Sequence, residues 1–272
     1  MQKTKRNVTK ENDLQRIKEL RLMDDDFFSE ALDGKVEAVE YILNTILERA
    51  DIKVKSTKAQ VEYKSATKRS ITLDIQAEDA DGKLVDIEIQ RSDKGAGVKR
   101  ARYHSSMIDR ILLSKGEDFE DLVDTYVIFI TENDKYGKGI PLYHVERKIT
   151  ELNDELFGDG AHILYVNGEY RDMEHPVGSL MHDFNCKDAK DMVNPLLAEE
   201  VRYLKETEGG QKQMCRLLEE MREEAAAEAR AEGKASDAIK MLTKGYPVEE
   251  IMEITDLPLE DVQKLAQGLK QR

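Results

Sequence analysis

The chain has no tryptophan, two cysteines, five prolines and 6% aromatic residues over 272 positions. Cys186 and Cys215 alone build neither a disulfide framework nor a paired ligand motif, which points to a reducing interior. No apolar run approaches the ~20 residues needed to cross a bilayer, so no membrane partner is expected. The first residues, MQKTKRNVTKEND, are polar and lack a signal peptide's apolar core, so the expected location is cytoplasmic. There is no glycine-rich phosphate loop or dinucleotide fingerprint, which excludes the common nucleotide-binding classes. The histidines at 104, 144, 162, 175 and 182 show no zinc-ligand spacing, and zinc is not expected.

Charge is abundant instead. Charged residues make up 36% and mean hydropathy is −0.62, yet 40% of residues are hydrophobic, enough to bury a core. The net charge of −14 argues at first against nucleic acid, whose binding domains are usually basic. Its distribution changes that argument. Residues 1–150 carry 27 Lys+Arg and 29 Asp+Glu, whereas residues 151–272 carry 15 and 27. The acidity belongs to the second half.

Periodicity divides the chain into a charged lead-in over 1–23, a mixed domain over 24–195, long charged helices over 196–234 and a small helical tail over 235–272. Within 27–49, Val36, Val39, Leu43, Ile46 and Leu47 recur at helical spacing, with Asp33 or Gly34 as the start. An irregular strand is expected over 53–65. RSITLDIQAED and KLVDIEIQR alternate with period two about Asp81-Gly82, a hairpin signal. Residues 95–114 read as a helix with Val98, Ala101, Ser105, Ile108, Ile111 and Leu112 on one face. YVIFIT at 126–131 has the continuous apolar character of a buried central strand, and another strand is expected at 163–166. The fold class is therefore α/β, a mixed sheet flanked by helices with an all-helical C-terminal tail.

The hairpin carries the chemistry. Asp74 interrupts an apolar strand, and Asp86, Glu88 and Gln90 share one face of the next. A turn at Asp81-Gly82 sets Asp74 roughly level with Glu88 or Gln90. Two readings compete at this point. One is an amphipathic hairpin with its polar face in solvent. The other is a hard-oxygen cluster suited to Mg²⁺ or Mn²⁺. The triple aspartate at 24–26 reads as a helix N-cap cluster.

These segments, DDDFFSEAL and YILNTIL followed by RSITLDIQAEDADGKLVDIEIQRSDKGAGVKRARYHSSMIDRILLSKGEDF and TYVIFIT, resemble the PD-(D/E)xK nuclease-family transposases, the Rpn family of recombination-promoting nucleases. The resemblance implies a restriction-endonuclease-like core and a metal-dependent DNA endonuclease associated with recombination or mobile elements. It implies Asp74, Glu88 and the backbone carbonyl of Ile89 as ligands of Mg²⁺ or Mn²⁺. Gln90 stands where the superfamily has lysine, which leaves hydrogen bonding to the attacking water but removes a cation and suggests weak catalysis. A helix-borne acid often completes such sites, and Glu37 and Glu40 are the candidates. The family pattern draws Arg102 and Tyr103 toward the site.

Residues 91–110 support a phosphate-facing surface, with Arg91, Lys94, Lys99, Arg100, Arg102 and Arg110 against Asp93 and Asp109. The competing reading is a solvated helix face. The C-terminal units have helix-turn-helix dimensions, but helix 259–269 offers few cations. Protein contact or homo-oligomerisation through the Glu/Ala-rich helix suits it better. Two alternatives to a nuclease follow: a catalytically silent nucleic-acid-binding regulator, and an interaction protein acting through its tail.

Overall fold

The computed structural model describes residues 2–63, 71–80, 82–90 and 95–270, with side chains described from residue 11 onward except at 224, 228 and 270. The chain divides into two compact units, residues 1–211 and 212–272.

The first unit opens with three helices, α1 (Gln2–Glu19), α2 (Asp25–Leu32) and α3 (Val36–Ile46). The apolar repeat from Val36 to Leu47 falls on α3, next to the start expected at Asp33 or Gly34, and α2 is a separate helix before it. Gly34, at φ +69°, takes the left-handed turn that separates them. Next come β1 (Val54–Tyr63), β2 (Ile71–Asp79), β3 (Leu84–Gln90) and the crossover helix α4 (Val98–Leu112). The chain continues through β4 (Thr125–Thr131), β5 (Leu142–Val145), the short strands β6 (Lys148–Ile149) and β7 (Glu155–Leu156), and β8 (Ala161–Asn167). Helices α5 (Pro176–Asn185) and α6 (Pro195–Glu206) complete the unit, each with proline in its first turn.

Among the described residues the main sheet has the order β1-β2-β3-β4-β8-β5. The β1–β2 and β2–β3 pairs are antiparallel, β3, β4 and β8 are parallel, and β5 returns antiparallel. Strand β4 lies in the interior of the sheet, and Val127 through Ile130 are fully buried, which explains its unbroken apolar run. Burial of each such side chain contributes about 1.5–3 kcal/mol. Helix α4 packs on β4 and β8, while α2 packs on β1, β2 and β3.

The face of α4 is the expected one at Ala101, Ser105 and Ile108 and differs at its first turn. Val98 is exposed, and the buried positions are Ala101, His104, Ser105, Met107 and Ile108. The helix is turned so that a histidine faces inward, an exchange a hydrophobic count does not anticipate because the partner of His104 comes from the sheet.

The second unit holds most of α7 (Glu208–Thr243), then α8 (Val248–Thr255) and α9 (Leu259–Lys270). Helix α7 is unbroken through position 235, where the sequence pattern began the tail. Ala238, Ile251 and Val262 form the small core of this unit, with Met241, Leu242, Val248, Met252, Leu257 and Leu265 packed against it. Asp256, at φ +52°, caps α8 and turns the chain into α9. Lys264 of α9 is engaged by Glu260 and Asp261 of its own helix. No helix among the described residues is long and apolar enough to cross a membrane.

Candidate active site

Strands β2 and β3 part company at Asp74. Their paired register runs from Glu78–Leu84 to Ile75–Ile87 and ends there, while β3 continues to Gln90 against β4. Side chains bridge the widened gap. The Glu88 carboxylate accepts a hydrogen bond from the Asp74 amide at 3.2 Å, and the Asp74 carboxylate accepts one from the Ile89 amide at 3.0 Å. A strand residue presents its N–H and C=O along the same edge, so the Ile89 carbonyl faces this gap as well. The Gln90 carbonyl is directed away from it, accepting from the Glu132 amide.

The polar face of β3 does not meet solvent. Asp74 is 7% exposed, Asp86 0% and Glu88 1%. The amphipathic-hairpin reading fails because β3 is flanked on both sides by strands and the β3–β4 crossover lays α4 near its acidic face. Leu84, Val127, Phe129, Ala101 and Ile108 join one core around that face.

Helix α4 contributes the partners. Arg100 and His104 lie one turn apart and share a face. Arg100 Nη2 is 2.7 Å from Glu88 Oε2, Nη1 is 3.1 Å from Gln90 Oε1, and Nε donates to His104 Nε2 at 3.3 Å. Its guanidinium also lies 5.9 Å from the centre of the Phe129 ring. His104 is buried, with Nδ1 3.0 Å from Asp86 Oδ2. Since Arg100 Nε–H needs an acceptor, Nε2 of His104 holds the lone pair and Nδ1 the proton. Gly95 closes over Gln90, where an added Cβ would fall 1.8 Å from Gln90 Oε1.

Helix α2 adds Asp25 from its first turn. Asp24 occupies the N-cap as the sequence suggested, though its side chain accepts from the Arg21 amide rather than capping the helix. Asp25 lies close enough to Asp74 for the two carboxyls to repel. Burial, with the neighbouring carboxyls second, raises the affinity of these acids for protons. Asp74 is pushed up to about 9 and Glu88 to about 8, Asp86 rises well above the carboxylate range, and Asp25 rises as well.

The remaining predicted positions scatter. Lys99 and Arg102 are exposed on α4, Arg102 being two residues, and so more than half a turn, from the Arg100 face. Tyr103 is half-buried against the core beside α4. Glu40 is occupied elsewhere, pairing with Lys53 at 2.7 Å and accepting from the Val54 amide at 3.1 Å. Glu37 is exposed in the first turn of α3. Arg91 and Lys94 lie outside the described residues. Sequence reasoning left out Asp86 and Asp25, set His104 aside and read Arg100 as a phosphate contact. The available signal was the i, i+4 pair Arg100/His104 on the helix directly after the acidic strand.

The donor set fits a divalent cation. Ligand atoms of Asp86, Glu88 and His104 lie within 4.8 Å of one another, and since both His104 nitrogens are engaged by Asp86 and Arg100, it is carboxylate oxygen that is left for a cation, Oδ1 of Asp86 being buried with no hydrogen-bond partner. Buried carboxyl oxygens that favour protons when alone are the hard ligands that Mg²⁺ and Mn²⁺ select.

A family model described as PD-(D/E)XK nuclease family transposase matches residues 28–169. Neither the curated proteins nor the solved structures yield a match. Nucleases of this kind generally use divalent metals, in keeping with the buried acids found here. The match covers more than half of the chain and takes in the parted strands together with the helix that follows them. With the six-stranded mixed sheet, it establishes that the chain belongs to the PD-(D/E)XK nuclease family transposases.

Proposed function

We propose that the protein is a metal-dependent endodeoxyribonuclease that hydrolyses phosphodiester bonds of DNA. The observation that carries this reading is the pair of buried carboxylates, Asp74 and Glu88, bridging the gap where β2 leaves β3. Asp74, Glu88 and the Ile89 carbonyl hold the cation, Mg²⁺ or Mn²⁺. Bound there, it supplies Lewis-acid stabilisation of the phosphoryl oxygens and makes water a better nucleophile.

The chain's own groups do the rest. The Gln90 oxygen accepts from Arg100, which leaves its amide N–H groups to orient the attacking water. Exposed Lys99 and Arg102 on α4 neutralise backbone phosphates, a contribution that weakens steeply with salt. Helix α9 offers few cations to DNA bases, and its Lys264 lies beside Glu260 and Asp261 of the same helix, which favours another role for the second unit. It serves protein contact, including homo-oligomerisation through α7. Two cysteines outside any disulfide, Cys186 and Cys215, suit a reducing cytoplasm.

The test is nicking of supercoiled plasmid in Mg²⁺ or Mn²⁺ by wild type, Asp74→Ala and Glu88→Ala. Cutting by wild type alone is expected. Equal nicking by all three overturns the assignment. Gel-shift binding that persists without cutting marks a silent nucleic-acid binder, and loss of both marks an interaction protein.

A further inference from the structure

Gln90 leaves the site without the cation that lysine supplies at that position, yet a cation is present. Arg100 reaches the same place from α4, touching Glu88 at 2.7 Å and Gln90 at 3.1 Å, with the Gly95 carbonyl at 3.5 Å. Its hold is unusually deep. Nε is bonded to the buried His104 ring, His104 is bonded to the buried Asp86, and the guanidinium lies near Phe129. The side chain is nevertheless 42% exposed, so it is open to an incoming phosphate.

An arginine that only neutralised Glu88 would need one contact. This one is fixed at three of its nitrogens, with one Nη2 N–H left to donate to an incoming phosphate oxygen. Asp86 is equally telling. A carboxylate fully buried with one oxygen unpaired is costly, and its other oxygen orients His104.

We propose that Arg100 is the catalytic cation of this site, compensating for the lysine that Gln90 replaces, and that His104 and Asp86 are positioning residues that aim it. The proposal rests on the nuclease reading above. In hydrolysis a water oxygen bonds to phosphorus, the bond from phosphorus to the leaving ester oxygen breaks, that oxygen gains a proton and the water loses one. Arg100 exchanges no proton in this sequence, since a guanidinium stays charged throughout the working range. It offsets charge accumulating on the non-bridging oxygens. A lysine in its place would titrate, and the two cations therefore leave different pH signatures.

The experiment uses the full chain, with plasmid cleavage, Mn²⁺ affinity by calorimetry and thermal unfolding measured on each variant. Arg100→Gln is expected to lower kcat by about 10²–10³-fold with little change in KM. The same variant should bind Mn²⁺ about tenfold more tightly, because a positive charge has left Glu88. Arg100→Lys should recover part of the rate and lose it again at high pH, where wild type keeps it. His104→Gln should cost about tenfold in kcat with Mn²⁺ affinity nearly unchanged. Wild-type cutting by Arg100→Gln would overturn the proposal while leaving the nuclease reading intact. Parallel loss of cutting and Mn²⁺ binding would also overturn it, since Arg100 would then only be shaping Glu88. A wild type that binds Mn²⁺ but cuts nothing overturns both.

Discussion

At Asp183 a fully buried carboxylate accepts from the Val193 and Asn194 amides at 2.7 and 2.8 Å, and pins the chain between α5 and α6. Nearby in the fold, the buried Lys205 ammonium donates to the Lys18, Leu20 and Lys187 carbonyls, joining the end of α1 to α6. Backbone groups meet both charges, and the Asp183 carboxylate also lies 3.2 Å from His182 Nδ1. The Asp74, Asp86 and Glu88 cluster is built the other way. Its carboxyls face one another, share a single guanidinium and leave an oxygen unpaired. Both arrangements are buried, so burial alone does not mark a functional site. The difference lies in whether the fold supplies each charge with its partners or leaves the partner to come from solvent.

The comparison breaks most sharply under amide substitution. Glu88→Gln should reduce DNA cleavage by about a thousandfold, since a lost cation ligand forfeits several kcal/mol of transition-state stabilisation. The unfolding midpoint of the metal-free variant should nevertheless stay nearly level at neutral pH, because Glu88 is already protonated in the folded chain there and the amide is a neutral isostere. A fall of many degrees would place Glu88 with Asp183 as a structural acid.

Asp183→Ala should show the reverse. Two amides lose their acceptor, at about 1–3 kcal/mol each, and thermal unfolding should come several degrees earlier. Cleavage per folded molecule should not change, which active-site titration against Mn²⁺ would check.

The two centres also diverge with pH. Acids whose folded values lie near 8 and 9 stay protonated in the folded chain after the unfolded chain has released its protons near pH 4. The folded state then binds more protons, so this contribution to stability is present below pH 4 and is lost as pH rises through 8 to 9. Denaturant titrations of metal-free protein between pH 5 and 9 should show that decline, with a shallower slope in Asp74→Asn. Added Mn²⁺ should raise the midpoint more at pH 8 than at pH 5.5, because ligation needs the deprotonated acids. A flat profile in both proteins contradicts the assignment.

The smallest effect is expected at Gly95→Ala. The new methyl would push aside the Gln90 carboxamide, which is half-exposed and can swing away, so stability should hold while kcat drops by about tenfold or less. Single-turnover cleavage would detect it.

Much of this was legible before the fold was seen. Alternation marked β2 and β3, the apolar run marked β4, and Asp74 and Glu88 stood out as acids in strands. The helix face of α4 was less legible. Its pattern favoured Val98 and Ile111, but a polar side chain can face inward when a buried acid waits for it, and Asp86 lies twelve positions before the helix begins. Glu40 was a reasonable helix acid by type, yet its carboxylate is taken by the start of β1. Asp25 reads as a helix-start residue from local physics and is one. Its approach to Asp74 spans almost fifty residues and leaves no local trace.

The sequence by itself determined the elements and their order, the acidity of the second half and the pair of strand acids, because these follow from side-chain period and local backbone preference. Tertiary structure decided which polar residues are buried together. A strand acid faces solvent or core according to what the crossover helix places over it. Only that packing turned Arg100, His104 and Asp86 toward Glu88 while leaving Arg102 in water.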